Sequence, residues 1–579
     1  MKLIEALKIA QHPVDDATMC LRVFLACGFT PLHLQSFLTA HLRVRRRDIR
    51  PDIQTGLFGD LVGNIERLDS SRIDVLAVTL EWPDLDPRLG VRSLGGWRPT
   101  DLVDIMESVE VAATRLQHAL EVTCREVPVV ACMPTLPLPP AFITRPLQMG
   151  SQEAQLRRVV ASLVESLSHL PLIRIVNEQE LALASAPVDR YNVKADLQTG
   201  FPYSLAHASK LGEILAGLIE DRPPMKGLIT DLDDTLWSGI VGDDGVDRIS
   251  WNLDGHSQMH GIYQQFLSSL AAAGVLIGIA SKNDEETVAH AFQRSDLLLS
   301  QDDIFPLEVH WSRKSESVRR ILTTWNIGAD AVVFVDDNPA EIAEVQAAFP
   351  ELLCRQFPKD DPRGIWMLLK ELRDLFGKST VSKEDILRTR SIRNAGVWRN
   401  QDSARETSSD DFLQLVDASL VFDYGRATED TRALELVNKT NQFNLNGKRY
   451  TESQWRQFLA DPTAFVLTAG YEDKFGALGK IAVLLGTAHS NGIHLYTWVM
   501  SCRAFSRRIE HQCLRYFFEE RGADQITFEF MATPRNGPIR EFLTGLVDSP
   551  LPSPLSLTKE SFSAKVPPLF HRVEVSSHV

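Results

Sequence analysis

The chain has 579 residues, 44% of them hydrophobic and 24% charged, an ordinary globular composition with apolar material for several cores. Its net charge of −15 argues against wholesale binding to nucleic acid or to an anionic membrane. Seven scattered cysteines without a C-x-x-C pair make neither a disulfide framework nor a zinc site, and no apolar run approaches the roughly 18 residues of a membrane span.

The opening Met-Lys-Leu-Ile-Glu-Ala lacks the apolar stretch and cleavage site of a secretion signal, so the protein is expected to be cytoplasmic. The first 220 or so residues alternate short apolar runs with helical periodicity. Leu21–Ala26, Val75–Leu80, Val127–Cys132 and Leu172–Val176 read as buried strands, Leu32–Leu42 and Ala206–Ile219 as helices. Such alternation indicates a parallel α/β sheet. The basic run Arg43–Arg47 reads first as a solvated edge, with a polyanion patch as the alternative. Asp221-Arg222-Pro223-Pro224 breaks the pattern and reads as a linker. A second α/β unit follows, with strands expected at Gly227–Thr230, Val275–Ala280 and Ala331–Val335. Beyond it come a charged helical stretch, Lys383–Arg399, and a polar stretch, Gln401–Asp411. Strands are then expected at Phe465–Ala469, Ile481–Gly486 and Ile493–Val499, an amphipathic helix at Arg508–Arg521 and a Pro-rich loop at Ser549–Pro554. Three domains are expected: 1–222, 223–378 and 379–579.

The chemistry concentrates in the middle unit. Leu228-Ile-Thr230 runs into Asp231-Leu232-Asp233-Asp234-Thr235, so carboxylates cluster at a strand end, where they repel one another unless a cation intervenes. Magnesium takes oxygen ligands and bridges to phosphate, which makes Asp231 a candidate nucleophile and Asp233 a candidate acid and base. Alone, the pentapeptide could be a calcium loop or an acidic turn. The rest of the chain removes that reading. A second apolar strand ends in Ser281-Lys282-Asn283, offering a hydroxyl and backbone N–H groups to phosphate. Lys314 can offset transition-state charge, and a third strand ends in Asp336-Asp337. From Asp231 to Ser281, Lys314 and Asp336 the steps are 50, 33 and 22 residues. That ordered set resembles the four-part signature of the haloacid-dehalogenase superfamily. The expected metal ligands are Asp231, Asp233, Asp336 and Asp337, with Thr235, Lys282 and Asn283 on the substrate. The gaps leave no room for a large cap, and Trp237–Gly245 can form only a hairpin flap, so the site should admit a large substrate.

The segment Asp231–Val246, with Ala280-Ser-Lys-Asn-Asp284, Lys314-Ser-Glu316 and Val335-Asp-Asp-Asn-Pro339, resembles the FkbH family, subclass IIIC of that superfamily. Asn438–Asn444, Arg449-Tyr-Thr451 and Met500-Ser-Cys-Arg503 extend the likeness over about residues 225–545. The resemblance implies a capless Rossmann-like phosphatase core that uses Mg²⁺, in a polyketide or nonribosomal-peptide setting. There, glyceryl from 1,3-bisphosphoglycerate is dephosphorylated and loaded onto the phosphopantetheine thiol of an acyl carrier protein. A plain phosphatase for another metabolite, and a carrier-protein scaffold with a silent site, are the competing readings.

The flanking domains resemble known folds less completely. Residues from about 380 to 545 are similar to the GNAT acetyltransferase fold, whose pyrophosphate loop needs glycines where this chain has Ser506 and Arg508. A pantetheine arm lacking the diphosphate would suit it better, with Arg503, Arg507 and Arg508 facing an acidic carrier. Cys502, beside those arginines at a helix start, reads either as an acyl-accepting thiolate or as a small turn cysteine. Cys27 and Cys513 read as packing residues. The first domain resembles the SGNH-hydrolase fold, but Ala26-Cys27-Gly28-Phe29-Thr30 and Glu81-Trp82-Pro83-Asp84 replace its catalytic turns. It reads as a non-catalytic platform, with His207 a surface or capping group and the stretch from Leu80 to Arg88 as a possible recognition loop.

Overall fold

The computed structural model describes every residue except 13–18, 95–97, 141–143, 171, 221, 379–380, 382–412, 415–416, 427–429, 441–442, 475, 490–491, 502–506, 534–535, 548–554 and 577–579. The charged helical stretch after Lys383, the polar stretch after Gln401 and the Pro-rich loop after Ser549 therefore lie outside the described residues. Two compact units divide the chain: Met1–Arg222 with Thr451–Gln454, and Pro223–Tyr450 with Trp455–Val579.

Three sheets carry the fold. The first unit holds five parallel strands, β1 (Met19–Cys27), β2 (Ile49–Thr55), β3 (Val75–Thr79), β4 (Val129–Cys132) and β5 (Ile173–Ile175), in the order β2-β1-β3-β4-β5. β3 and β4 are buried at every position, as expected of strands covered on both faces. Helices Leu32–Arg45 and Leu205–Glu220 pack on one face, while Asp101–Thr123 and Ser151–Ser168 belong to the other core. The basic run is structural: Arg43 donates to the carbonyls of Ile9, Ala10 and His12, and Arg45 and Arg46 pair with Glu220 and Asp48.

The second sheet is also wholly parallel. Its strands are β6 (Gly227–Thr230), β7 (Leu276–Ser281), β8 (Ile304–Val309), β9 (Val332–Asp336) and β10 (Leu353–Gln356), in the order β10-β9-β6-β7-β8. The order reverses between β6 and β9, and in such sheets the crevice beyond the carboxyl ends of those two strands is where ligands bind.

The third sheet is mixed: β11 (Ser419–Gly425), β12 (Phe443–Asn444), β13 (Ala464–Asp473), β14 (Gly476–His489), β15 (Gly492–Met500), β16 (Gln525–Phe528), β17 (Leu555–Thr558) and β18 (Arg572–Ser576). Its central strands β13, β14 and β15 are antiparallel, β15 pairs β16 in parallel, and helix Ile509–Glu519 contributes Ile509, Cys513 and Phe517 to its core. No described helix is long and apolar enough to cross a membrane.

Candidate active site

At the reversal of the second sheet, β6 delivers Asp231 and β9 delivers Asp336. Both strands are apolar runs that end in acids, so burial of the run fixes the acids at the sheet's edge. Asn338 then caps the helix Pro339–Ala348, its side chain accepting from Ala340 N (3.0 Å), and the Asn-Pro pair turns the chain sharply away after Asp337. The helix Lys314–Trp325 begins at Lys314 itself and aims the ammonium back over the strand ends. Lys314 Nζ lies 2.8 Å from Asp231 Oδ2 and also bonds Asp336 Oδ2. Asp336 Oδ1 accepts from Asn338 N at 2.9 Å. One oxygen each from Asp231, Asp336 and Asp337 falls within 4.8 Å of the others. Asp231 Oδ1 is buried and has no hydrogen-bond partner.

The electrostatics follow from crowding charge where water is scarce. Burial pushes the Asp231 carboxyl above the ordinary carboxylate range, with Lys314 pulling it back. Asp336 is raised to about 7, by burial first and by Asp231 second, again opposed by Lys314. For Lys314, burial works against its charge, yet the two carboxylates outweigh it and hold the ammonium above its usual value. Three converging carboxylates with an orphaned buried oxygen and one buried lysine shared by Asp231 and Asp336 fit a hard divalent cation that takes oxygen ligands, as Mg²⁺ does.

The remaining residues of the signature divide. Ser281 and Asn283 are brought to the site: Asn283 Nδ2 donates to Ser281 Oγ (3.2 Å) and to Asp233 Oδ2 (2.9 Å). Asp233 departs from its expected place among the metal ligands. Its Oδ1 accepts from Trp237 Nε1 (2.8 Å) and Val241 N (3.0 Å), so both oxygens are turned to the flap and to Asn283, outside the three-carboxylate cluster. Thr235 is not a substrate contact here, because it is fully buried with an unpartnered hydroxyl, its carbonyl bonded by His260 Nδ1. Lys282 is drawn off to Glu341 (2.8 Å). Cys502 and Arg503 lie outside the described residues.

The flap is as short as expected. Ser238 and Ser250 exchange backbone bonds (2.9 and 3.1 Å), and between them the four-residue helix Val241–Asp244 is the main regular element. Arg294 pins its base, donating to the carbonyls of Val246 and Ile249 with its guanidinium 4.1 Å from the Trp251 ring centre. Two residues escaped the sequence reading. Trp237 stood in the quoted motif but gave no hint of gripping Asp233. Lys359, in the loop after β10, bridges Asp234 Oδ2 (2.7 Å) and Asp337 Oδ2 (2.9 Å), and no spacing in the sequence points to it.

In the first unit the corresponding strand ends are closed. Glu81 is buried and accepts from Thr135 N and Oγ1, Leu136 N and Tyr203 OH. His207 is neither a surface nor a capping group: it is fully buried, with Nε2 at Thr135 Oγ1 and Nδ1 at Ser185 Oγ, both 3.0 Å, and burial lowers it to about 3. The stretch around Glu81 is no open recognition loop either. Trp82, Leu85 and Asp86 are buried, and Asp84 packs so closely on Gly28 that a Cβ there would come within 1.6 Å of Asp84 Oδ1. Cys27 and Cys513 are buried, and burial pushes the Cys27 thiol up to about 12.

No model of a known protein family matches the chain, and no curated protein is similar to it. Among solved structures, it is similar to the magnesium-bound N-terminal part of a Bacteroides fragilis protein containing a phosphatase domain. The two are 21% identical, with 66% of this chain and 100% of that one covered and a TM-score of 0.50. At that identity the likeness speaks to fold alone: an α/β protein whose second sheet is parallel and Rossmann-like. A fungal multi-domain β-N-acetylglucosaminidase with a glucosamine N-acetyltransferase region is 11% identical over 94% of this chain and 64% of that one. Its TM-score of 0.15 gives it no weight for the fold.

Proposed function

We propose that the second unit is a magnesium-dependent phosphoryl-transfer enzyme with Asp231 as nucleophile. The convergence of Asp231, Lys314, Asp336 and Asp337 at the sheet's reversal carries this reading. Asp231, Asp336 and Asp337 would hold the ion. Magnesium, when bound, neutralises the carboxylates and the phosphate oxygens they would otherwise repel. Lys314 occupies Asp231 Oδ2 and leaves Oδ1 to attack phosphorus, forming the P–O bond of an aspartyl phosphate as the ester oxygen departs. Ser281 offers its hydroxyl to the phosphate. Asp233, held by Trp237, Val241 and Asn283, is the group to protonate the leaving oxygen and later take a proton from water. Phosphate release from a phosphate ester, measured in wild type and in D231N, tests the reading. Undiminished release by the variant would overturn it.

The finer reading rests on the FkbH resemblance. On it the substrate is 1,3-bisphosphoglycerate, and the glyceryl group passes to the pantetheine thiol of an acyl carrier protein. The substrate's acyl phosphate suits thiol attack, in which a C–S bond forms as phosphate leaves, and its phosphate ester suits Asp231. Cys502 would hold the glyceryl as a thioester, with Arg503 beside it. Intact-mass spectrometry of a carrier protein incubated with enzyme, Mg²⁺ and the bisphosphate should show the glyceryl adduct. Carrier loading should stop in C502A, and loading at the wild-type rate would make Cys502 structural. Phosphate release without any adduct would leave the plain phosphatase.

A further inference from the structure

Lys359 is built into the site more firmly than a surface lysine needs to be. It sits between β10 and the helix Pro362–Phe376, in a loop fastened to the end of β9. Phe357 N donates to Asp336 O (2.8 Å), and Gln356 Nε2 donates to Asp337 O (3.0 Å). The buried Phe357 ring packs against His260 and Tyr263, both at 5.1 Å between ring centres. The loop so held brings Nζ to Asp337 Oδ2 on one side and to Asp234 Oδ2 on the other. Asp234 has left-handed backbone (φ 52°), and its Oδ1 accepts from Gly239 N (2.9 Å) at the base of the flap. Lys359 thus ties a carboxylate of the convergent cluster to the flap.

Charge gives that tie a purpose. Among the described residues, Asp231, Asp233, Asp234, Asp336 and Asp337 form ion pairs only with Lys314 and Lys359, which leaves three negative charges when all are ionised. A divalent ion reduces this to one. Without Lys359 two would remain, confronting a phosphate that is itself an anion. We infer that Lys359 is a positioning residue for phosphoryl transfer: paired with Asp337 and Asp234, it competes with the metal for Asp337 and lowers the negative charge that an incoming phosphate must meet. This rests on the reading of the cluster as a magnesium-dependent phosphoryl-transfer site.

The two roles separate in binding experiments. Calorimetry of the full chain with MgCl₂ alone should show K359M binding Mg²⁺ roughly fivefold more tightly than wild type, because a screened, part-exposed cation has been removed. With Mg²⁺ saturating, K359M should bind inorganic phosphate roughly tenfold more weakly. K359R keeps the charge and should restore both values to near wild type. Equal or weaker Mg²⁺ binding by K359M, unchanged phosphate binding, or a K359R that behaves like K359M would each overturn the inference. A wild-type protein that binds no Mg²⁺ would instead remove the reading of the site itself, and the inference with it.

Discussion

The two parallel sheets of this chain both place acids beyond the carboxyl end of a strand at their reversal, β3 in the first and β6 and β9 in the second, and they give those acids different partners. In the first, Glu81 and Asp84 are met by neutral donors: two backbone N–H groups, two hydroxyls, and the Glu81 N–H for Asp84. Burial with no cation at hand raises both carboxyls to about 7, and the space is sealed by Gly28, Trp82 and Tyr203. In the second, Asp231 and Asp336 share a buried ammonium, and Asp231 keeps an oxygen without a partner. Neutral donors let an acid serve as a structural bracket. A buried ammonium shared between two acids leaves one carboxylate oxygen under-satisfied and open to a cation or to phosphorus.

The sharpest way to break the comparison is D231N. The amide is isosteric but cannot attack phosphorus, so phosphate release should fall below roughly one thousandth of wild type with circular dichroism unchanged. K314M comes next. Phosphate release should drop about a hundredfold. Stability should also fall by about 3–5 kcal/mol, because two buried carboxylates lose their common partner, and urea denaturation would show it. Chelation of Mg²⁺ should stop turnover, and Ca²⁺ should fail to restore it because its looser shell misplaces the attacking carboxylate. Full turnover in chelator would contradict the account of the cluster.

The smallest effect belongs to the first sheet. Folded Glu81 keeps its proton to about 7, whereas a glutamate in water gives it up near 4.5. The stability it contributes is complete below about 4.5 and is lost as pH rises through 7. Hydrogen exchange over β3 and β4 in the full chain should therefore quicken across that interval. In E81Q the pH trend should flatten by up to about 3 kcal/mol, though the amide also gives up some of the donors around it. An identical trend in wild type and variant would mean that Glu81 stays ionised, and the contrast between the two sheets would lose its physical basis.

What the sequence made legible was the part written in local pattern. Leu228-Ile-Thr230 and Val332–Val335 run apolar into acids, and that transition alone locates a strand end and aims Asp231 and Asp336 at it. Ser281 and Lys314 follow the same logic of placement. The partners of Asp233 were not legible, because Trp237 and Val241 reach it through a turn whose geometry depends on Asp234 adopting positive φ. Lys359 was hidden for a related reason: its position is set by the packing of Phe357, far from the motif in sequence. His207 misled because a lone histidine carries no sign of burial, and only the tertiary fold supplies Thr135 and Ser185 on either side.

The brevity of the flap has a consequence for time as well as space. Of the flap alone, a phosphoryl group on Asp231 would meet only a short segment from Ser238 to Ser250, pinned by its own hairpin bonds and by Arg294. Hydrolysis would then begin counting down as soon as the leaving group clears the mouth, and the lifetime of the phosphoenzyme would be set by the departing molecule's residence. A bulky or slowly dissociating leaving group would act as its own stopper, while a small one would expose the intermediate at once.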